Sequence, residues 1–153
     1  MTVIRITKQF TFEMAHALLG YDGLCKNIHG HSYHFDVTVK GQPNGDSTSP
    51  KQGMLIDFGD LKRIVNSEII DRMDHALVLS TQTDPALLQT LQQHYEKILL
   101  VPYQPTTENM LEDFAARLQK KLPPEIQLFS LKLRETDRSY AEWHAQDNTS
   151  CES

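Results

Sequence analysis

Three histidines carry the first chemical signal. His29 and His31 flank Gly30, and His16 lies upstream. In an extended strand the side chains at i and i+2 leave the same face. Two imidazoles of a His-Gly-His run can therefore reach one ion, and Gly30 leaves the opposite face open. A third nitrogen from His16 makes a three-histidine set with a fourth position free. That is the arrangement of a catalytic zinc site rather than a structural one. Cys25 precedes His29 by four residues. A thiol near a metal or another cation can be held as thiolate and act as base or nucleophile. It can equally be a fourth ligand that closes the site, or a small buried residue. Asp74-His75 offers a carboxylate that can orient an imidazole for acid–base work, or a simple charge pair at a helix end. His34, His94 and His144 fall outside this set. His34 is on the face opposite His31, His94 is on a polar helical stretch, and His144 is near the tail.

The elements that must position these groups follow from periodicity. Residues 3–16 alternate as a strand, with Ile4, Ile6, Phe10, Phe12, Met14 and His16 on one face and one lapse at Lys8. Residues 31–40 alternate likewise; the row Tyr33, Phe35, Val37, Val39 runs back through His31 to His29. Residues 126–135 form a third long strand, with Phe129, Leu131 and Leu133 sharing a face that ends at Glu135. Three apolar rows thus each end in a ligand or an acid, and adjoining ends would make a polar pocket at one rim of the core. Met54–Ile56, Ile98–Val101 and Tyr140–Ala145 read as shorter strands. A helix from Asp57 or Asp60 to Met73 carries the stripe Leu61, Ile64, Val65, Glu68, Ile69, Met73. A short helix covers 85–95. A second long helix covers Thr106–Leu122, with Thr106 or Thr107 as N-cap and Glu108 in the first turn. The first two strands have no helix between them, which points to an α+β, mostly antiparallel sheet with helices on one face.

Composition bounds the reading. With 153 residues the chain is expected to form one domain over 1–145, with a polar, disordered tail at 146–153. A net charge of -5 argues against a dedicated nucleic-acid binder, which normally carries a basic face. Two cysteines, Cys25 and Cys151, are too few for a disulfide framework and suit a reducing cytoplasm. The N-terminal residues contain no apolar signal core, and no run approaches the 18 apolar residues of a membrane span.

A set of short motifs, in order, resembles the 6-pyruvoyl-tetrahydropterin synthase family. They are CKNIHGH at 25–31 with His16 upstream, GMLIDF at 53–58 with Leu61-Lys62, Asp74-His75, PTTEN at 105–109, and LRET at 133–136. The resemblance covers about residues 3–136. It implies a tunnelling fold: a four-stranded antiparallel sheet with two long helices on one face, assembled into trimers or stacked trimers with active sites between subunits. It implies Zn2+, one per chain, on His16, His29 and His31. It makes Cys25 the proton-abstracting base, with Asp74 and His75 its acid–base partners. Glu135 becomes the anchor of the pterin ring, and Thr106, Thr107 and Glu108 lie beside the pterin pocket, although helix capping explains those three equally well. The implied substrate is 7,8-dihydroneopterin triphosphate. The C-x3-H-G-H spacing resembles the bacterial branch that forms 6-carboxy-5,6,7,8-tetrahydropterin, acetaldehyde and triphosphate for queuosine biosynthesis. The alternatives are the 6-pyruvoyl product without side-chain cleavage, and a non-enzymatic zinc-stabilised binding module closed by Cys25. Residues 80–104 read as an insertion relative to compact members.

Overall fold

The computed structural model describes residues 2–149. Strand β1 (Ile4–His16) and strand β2 (His29–Gly41) pair antiparallel along their whole length, from Ile4 opposite Gly41 to His16 opposite His29. Strand β5 (Gln127–Thr136) pairs antiparallel with β2, and β6 (Ser139–His144) pairs antiparallel with β5. Strand β3 (Ala76–Ser80) lies parallel to the end of β1, and β4 (Ile98–Val101) lies parallel to β3. The sheet is thus six-stranded and mixed, in the order β4-β3-β1-β2-β5-β6.

This corrects the expected four-stranded antiparallel sheet. Ala76–Ser80 is a short apolar run with no alternation, because four of its five residues are buried. Periodicity alone cannot separate such a strand from a helix segment. The segment 80–104 then supplies a parallel crossover: helix α3 (Pro85–His94) leads into β4 at the sheet edge. Met54–Ile56, expected as a strand, joins no ladder. It closes a turn in which Asn44 N–H donates to the Met54 carbonyl at 2.9 Å.

Helix α1 (Phe58–Val65) starts at Asp57, whose carboxylate accepts the Gly59 N–H. It continues through a π-helical stretch (Asn66–Ile70) into α2 (Asp71–Met73). Leu61, Val65, Ile69 and Met73 are fully buried and spaced by four. Four-residue steps drift by about 40° each on an α-helix, and the wider π turn takes up that drift. Helix α4 (Thr107–Lys121) is capped by Thr106, whose hydroxyl accepts the Asn109 N–H at 3.2 Å. Its Met110, Leu111, Phe114, Ala115 and Leu118 meet the inner faces of β1, β2 and β5 in one core.

The expected row on β5 also needs correction. The β2–β5 register shifts between Thr38 and Val39, so Ser130 and Leu128 are paired and Phe129 is skipped. Leu128, Leu131 and Leu133 are buried inward, whereas Phe129 packs on the outer face under the Arg5 guanidinium, 3.8 Å away. Such a bulge inverts the alternation on one side of itself. Of the tail expected to be disordered, Gln146–Asn148 complete a 3-10 turn begun at Ala145, with Asn148 Nδ2 donating to the His144 carbonyl. Residues 150–153, including Cys151, lie outside the described residues.

Candidate functional site

The registers bring the polar strand ends together. His16 closes β1 opposite His29, which opens β2. His31 follows on the same face, and Glu135 arrives from the end of β5. The ligand atoms of His16, His29, His31 and Glu135 all lie within 4.8 Å of one another. No other group of three or more such residues is found among the described residues. The fourth member is the Glu135 carboxylate; the Cys25 thiol does not belong to the group.

The rings are oriented from behind by backbone carbonyls. His16 Nδ1–H donates to the Pro105 carbonyl at 2.7 Å, and His29 Nδ1–H donates to the Asn27 carbonyl at 2.7 Å. A carbonyl only accepts, so these contacts assign the proton to Nδ1 and leave lone pairs on both Nε2 atoms. Those two Nε2 atoms sit 3.1 Å apart. Two lone pairs at that distance repel unless a proton or a cation lies between them. His31 Nε2 is buried without a hydrogen bond, although Glu135 Oε1 lies only 2.8 Å away off the bonding direction. An orphaned nitrogen, two facing lone pairs and a carboxylate fit a divalent cation that accepts imidazole and oxygen ligands. The outer carbonyls fix ring and tautomer as ligand-supporting groups do.

Burial governs the electrostatics here. It pushes the His16 imidazole below its ordinary value, against the Pro105 carbonyl and the Glu135 charge. His31 is lowered for the same reason, with Glu135 opposing and His29 adding to the shift. Both are therefore held in the neutral form that binds metal. The Tyr33 hydroxyl, buried beneath His31, is pushed up by desolvation and by Glu135. Glu135 Oε2 accepts the Thr107 hydroxyl at 2.5 Å, which ties the carboxylate to the start of α4. Thr106 is the cap of that helix. Glu108 is exposed and lines a separate shallow depression with Ala141 and Trp143.

Asp74 and His75 form a second cluster at the corner between α2 and β3. Asp74 Oδ2 lies 3.0 Å from His75 Nδ1, while Asp74 Oδ1 accepts the Glu13 N–H at 2.9 Å. That N–H donor, more than the neighbouring His75 ring, holds the Asp74 carboxyl below the usual range. His75 has φ +62°, the left-handed region that a non-glycine residue adopts at a cost. Its backbone N–H donates to the Glu13 carbonyl, and its side chain is 76% exposed. A cleft of about 690 Å³ is lined by His75, by His31 alone of the histidine group, and by Tyr95 and Lys97 from the segment 80–104. Cys25 is half-buried in the 3-10 turn Leu24–Lys26, and no hydrogen bond joins its thiol to His75 among the described residues. Sequence reasoning missed Glu13, Asn27, Pro105 and Lys97, which act through backbone groups or a reach across the fold. No local pattern marks such contacts.

Comparison with known proteins adds to this geometry. A family model described as 6-pyruvoyl tetrahydropterin synthase matches residues 5–146. A Haemophilus influenzae protein named 6-carboxy-5,6,7,8-tetrahydropterin synthase is 36% identical over 143 residues, covering 92% of this chain and 99% of that protein. A Pyrococcus horikoshii protein, named putatively for the same activity, is 32% identical over 86% of this chain and 83% of its own length. Among solved structures, the 6-pyruvoyl tetrahydropterin synthase of Caenorhabditis elegans superposes with a TM-score of 0.65 at 22% identity, covering 94% of this chain and 96% of that one. An uncharacterized Wolinella succinogenes protein gives 0.74 at 19% identity, covering 94% and 99%. These two share the fold.

Proposed function

The chain belongs to the 6-pyruvoyl tetrahydropterin synthase family, and from that premise we propose that it is a zinc-dependent lyase acting on 7,8-dihydroneopterin triphosphate. Its products in this reading are 6-carboxy-5,6,7,8-tetrahydropterin, acetaldehyde and triphosphate, a step toward queuosine. The observation that carries the choice of product is the 36% identity to the similarly named H. influenzae protein across nearly the whole of both chains.

His16, His29 and His31 would hold the metal. Bound there, zinc would acidify a side-chain hydroxyl of the substrate and stabilise oxyanion character. Cys25, as thiolate, removes a carbon-bound proton. His75 relays protons through Nε2 while Asp74 holds Nδ1. Glu135, steadied by Thr107, accepts from the amide-like N–H and exocyclic amine of the pterin, a paired contact that a carboxylate makes more strongly than a neutral group. In this reading the active sites are completed between subunits of a trimer or a dimer of trimers. The unpaired edges of β4 and β6 give such an assembly strands to join. A cytoplasmic setting keeps Cys25 reduced; no described helix is long and apolar enough to cross a membrane.

The test is mass spectrometry of the products after the zinc-loaded protein meets 7,8-dihydroneopterin triphosphate. The 6-carboxy product with acetaldehyde supports the reading. A 6-pyruvoyl product keeps the site and replaces the pathway. No turnover, with no thermal stabilisation by a dihydropterin, leaves a non-enzymatic zinc module.

A further inference from the structure

We propose that Lys97 is a positioning residue that holds the Asp74–His75 corner in its working geometry; this rests on reading Asp74 and His75 as the acid–base pair. Lys97 belongs to the segment 80–104, and its ammonium reaches back across the cleft to the end of α2. There it donates to the main-chain carbonyls of Asp71, at 2.7 Å, and Asp74, at 2.5 Å. The last carbonyls of a helix lack intrahelical partners and carry the negative end of the dipole. A cation with several N–H groups meets both needs at once.

The corner is one that must be held. A left-handed histidine persists only where its surroundings over-determine it. Glu13 grips it from β1, accepting the His75 N–H at 2.6 Å and donating its own N–H to the Asp74 carboxylate. Lys97 grips the opposite side of the same peptide through the Asp74 carbonyl. Its own carbonyl accepts the Leu77 N–H at 3.0 Å, so its backbone is tied two residues beyond His75. With the Asp74 peptide clamped from both sides, one carboxylate oxygen is committed to Glu13 and the other faces His75 Nδ1. That arrangement selects the Nδ1–H tautomer and presents the Nε2 lone pair to the cleft. A lysine placed only to bind substrate phosphates would leave its N–H groups free for the ligand.

The experiment uses full-length, zinc-loaded protein with 15N-labelled histidine. Long-range 1H–15N spectra report the His75 tautomer, assigned by the signal lost in H75Q, and steady-state kinetics use 7,8-dihydroneopterin triphosphate. Wild type is expected to show Nδ1–H at His75. Lys97→Met is expected to give a mixture dominated by Nε2–H, the form imidazole prefers in water. Its kcat should fall about tenfold to a hundredfold, as for a misplaced catalytic group, with KM within about twofold. Lys97→Arg is expected to restore tautomer and kcat. If Lys97→Met does not fold, Lys97→Gln, which keeps a donor for one carbonyl, should show an intermediate mixture. An unchanged tautomer in the folded variant overturns the inference, and a raised KM alongside it reassigns Lys97 to substrate binding. If wild type turns nothing over, the proposed reaction falls, while the tautomer comparison still decides what Lys97 does.

Discussion

The histidine rim and the Asp74–His75 corner are both built from the end of β1, yet they are finished to different degrees. At the rim, His16 is 1% exposed, two of the rings are aimed by carbonyls, and a carboxylate stands beside them. At the corner the imidazole is mostly exposed, on strained backbone, and its support comes from main-chain contacts. The four groups of the rim that could hold a cation come from one chain, each ring already oriented or partly buried. The corner is open to solvent, and in the proposed reading substrate and the base meet it there. Binding and chemistry are thus separable here, and variants can break one without the other.

The largest effect is expected from His29→Ala. Removing one of two facing lone pairs should lower bound zinc from about one per chain to a small fraction and abolish turnover, read by elemental analysis beside the activity assay. Cys25→Ala should lower kcat by about 10²–10⁴, the range for a lost general base, while zinc stays bound. Loss of zinc in that variant would move Cys25 to the rim and erase the distinction. Asp74→Asn keeps the shape but loses the carboxylate. It should lower kcat by about tenfold to a hundredfold, with zinc unchanged and with the Glu13 N–H still accepted by the side-chain oxygen.

The smallest effect sharpens the comparison through pH. His16 and His31 have folded-state values below their ordinary 6.5. As pH falls past 6.5 the unfolded chain takes up protons that the folded chain refuses, so stability drops with decreasing pH until the lowered folded values are crossed. Metal-free protein should therefore lose stability between pH 7 and 5.5 in denaturant titrations, and His16→Gln should flatten that slope. The depressed Asp74 acts in a separate, more acidic window. Its contribution is present above pH 3.8 and lost as pH falls below it through the folded value.

The rim was largely legible in the sequence, for a definable reason. His16, His29, His31 and Glu135 each sit in phase with an apolar row, and a row that must be buried fixes where its terminal residue points. Their mutual approach was not legible, because it depends on the registers of two strand pairs. The parallel neighbour of β1 is not legible, because Ala76–Ser80 has no periodicity to read. The corner was visible only as a dipeptide. Its left-handed turn and its ties to Glu13 and Lys97 arise from contacts across 61 and 23 residues of chain. Phe129 lies on the outer face, against the alternation, because one residue unpaired with β2 inverts the two-fold pattern there.

That unpaired residue makes β5 one residue longer than its pairing requires. Excising Phe129 alone would remove the shift against β2 and leave Leu128, Leu131, Leu133 and Glu135 on the core side. Excising any one residue between Leu131 and Glu135 would instead reverse the carboxylate to the outer surface. Against β2 the strand has one spare position, on the side of Leu131 away from the ligands; against β6 the register shifts instead between Arg134 and Thr136, beside the carboxylate itself.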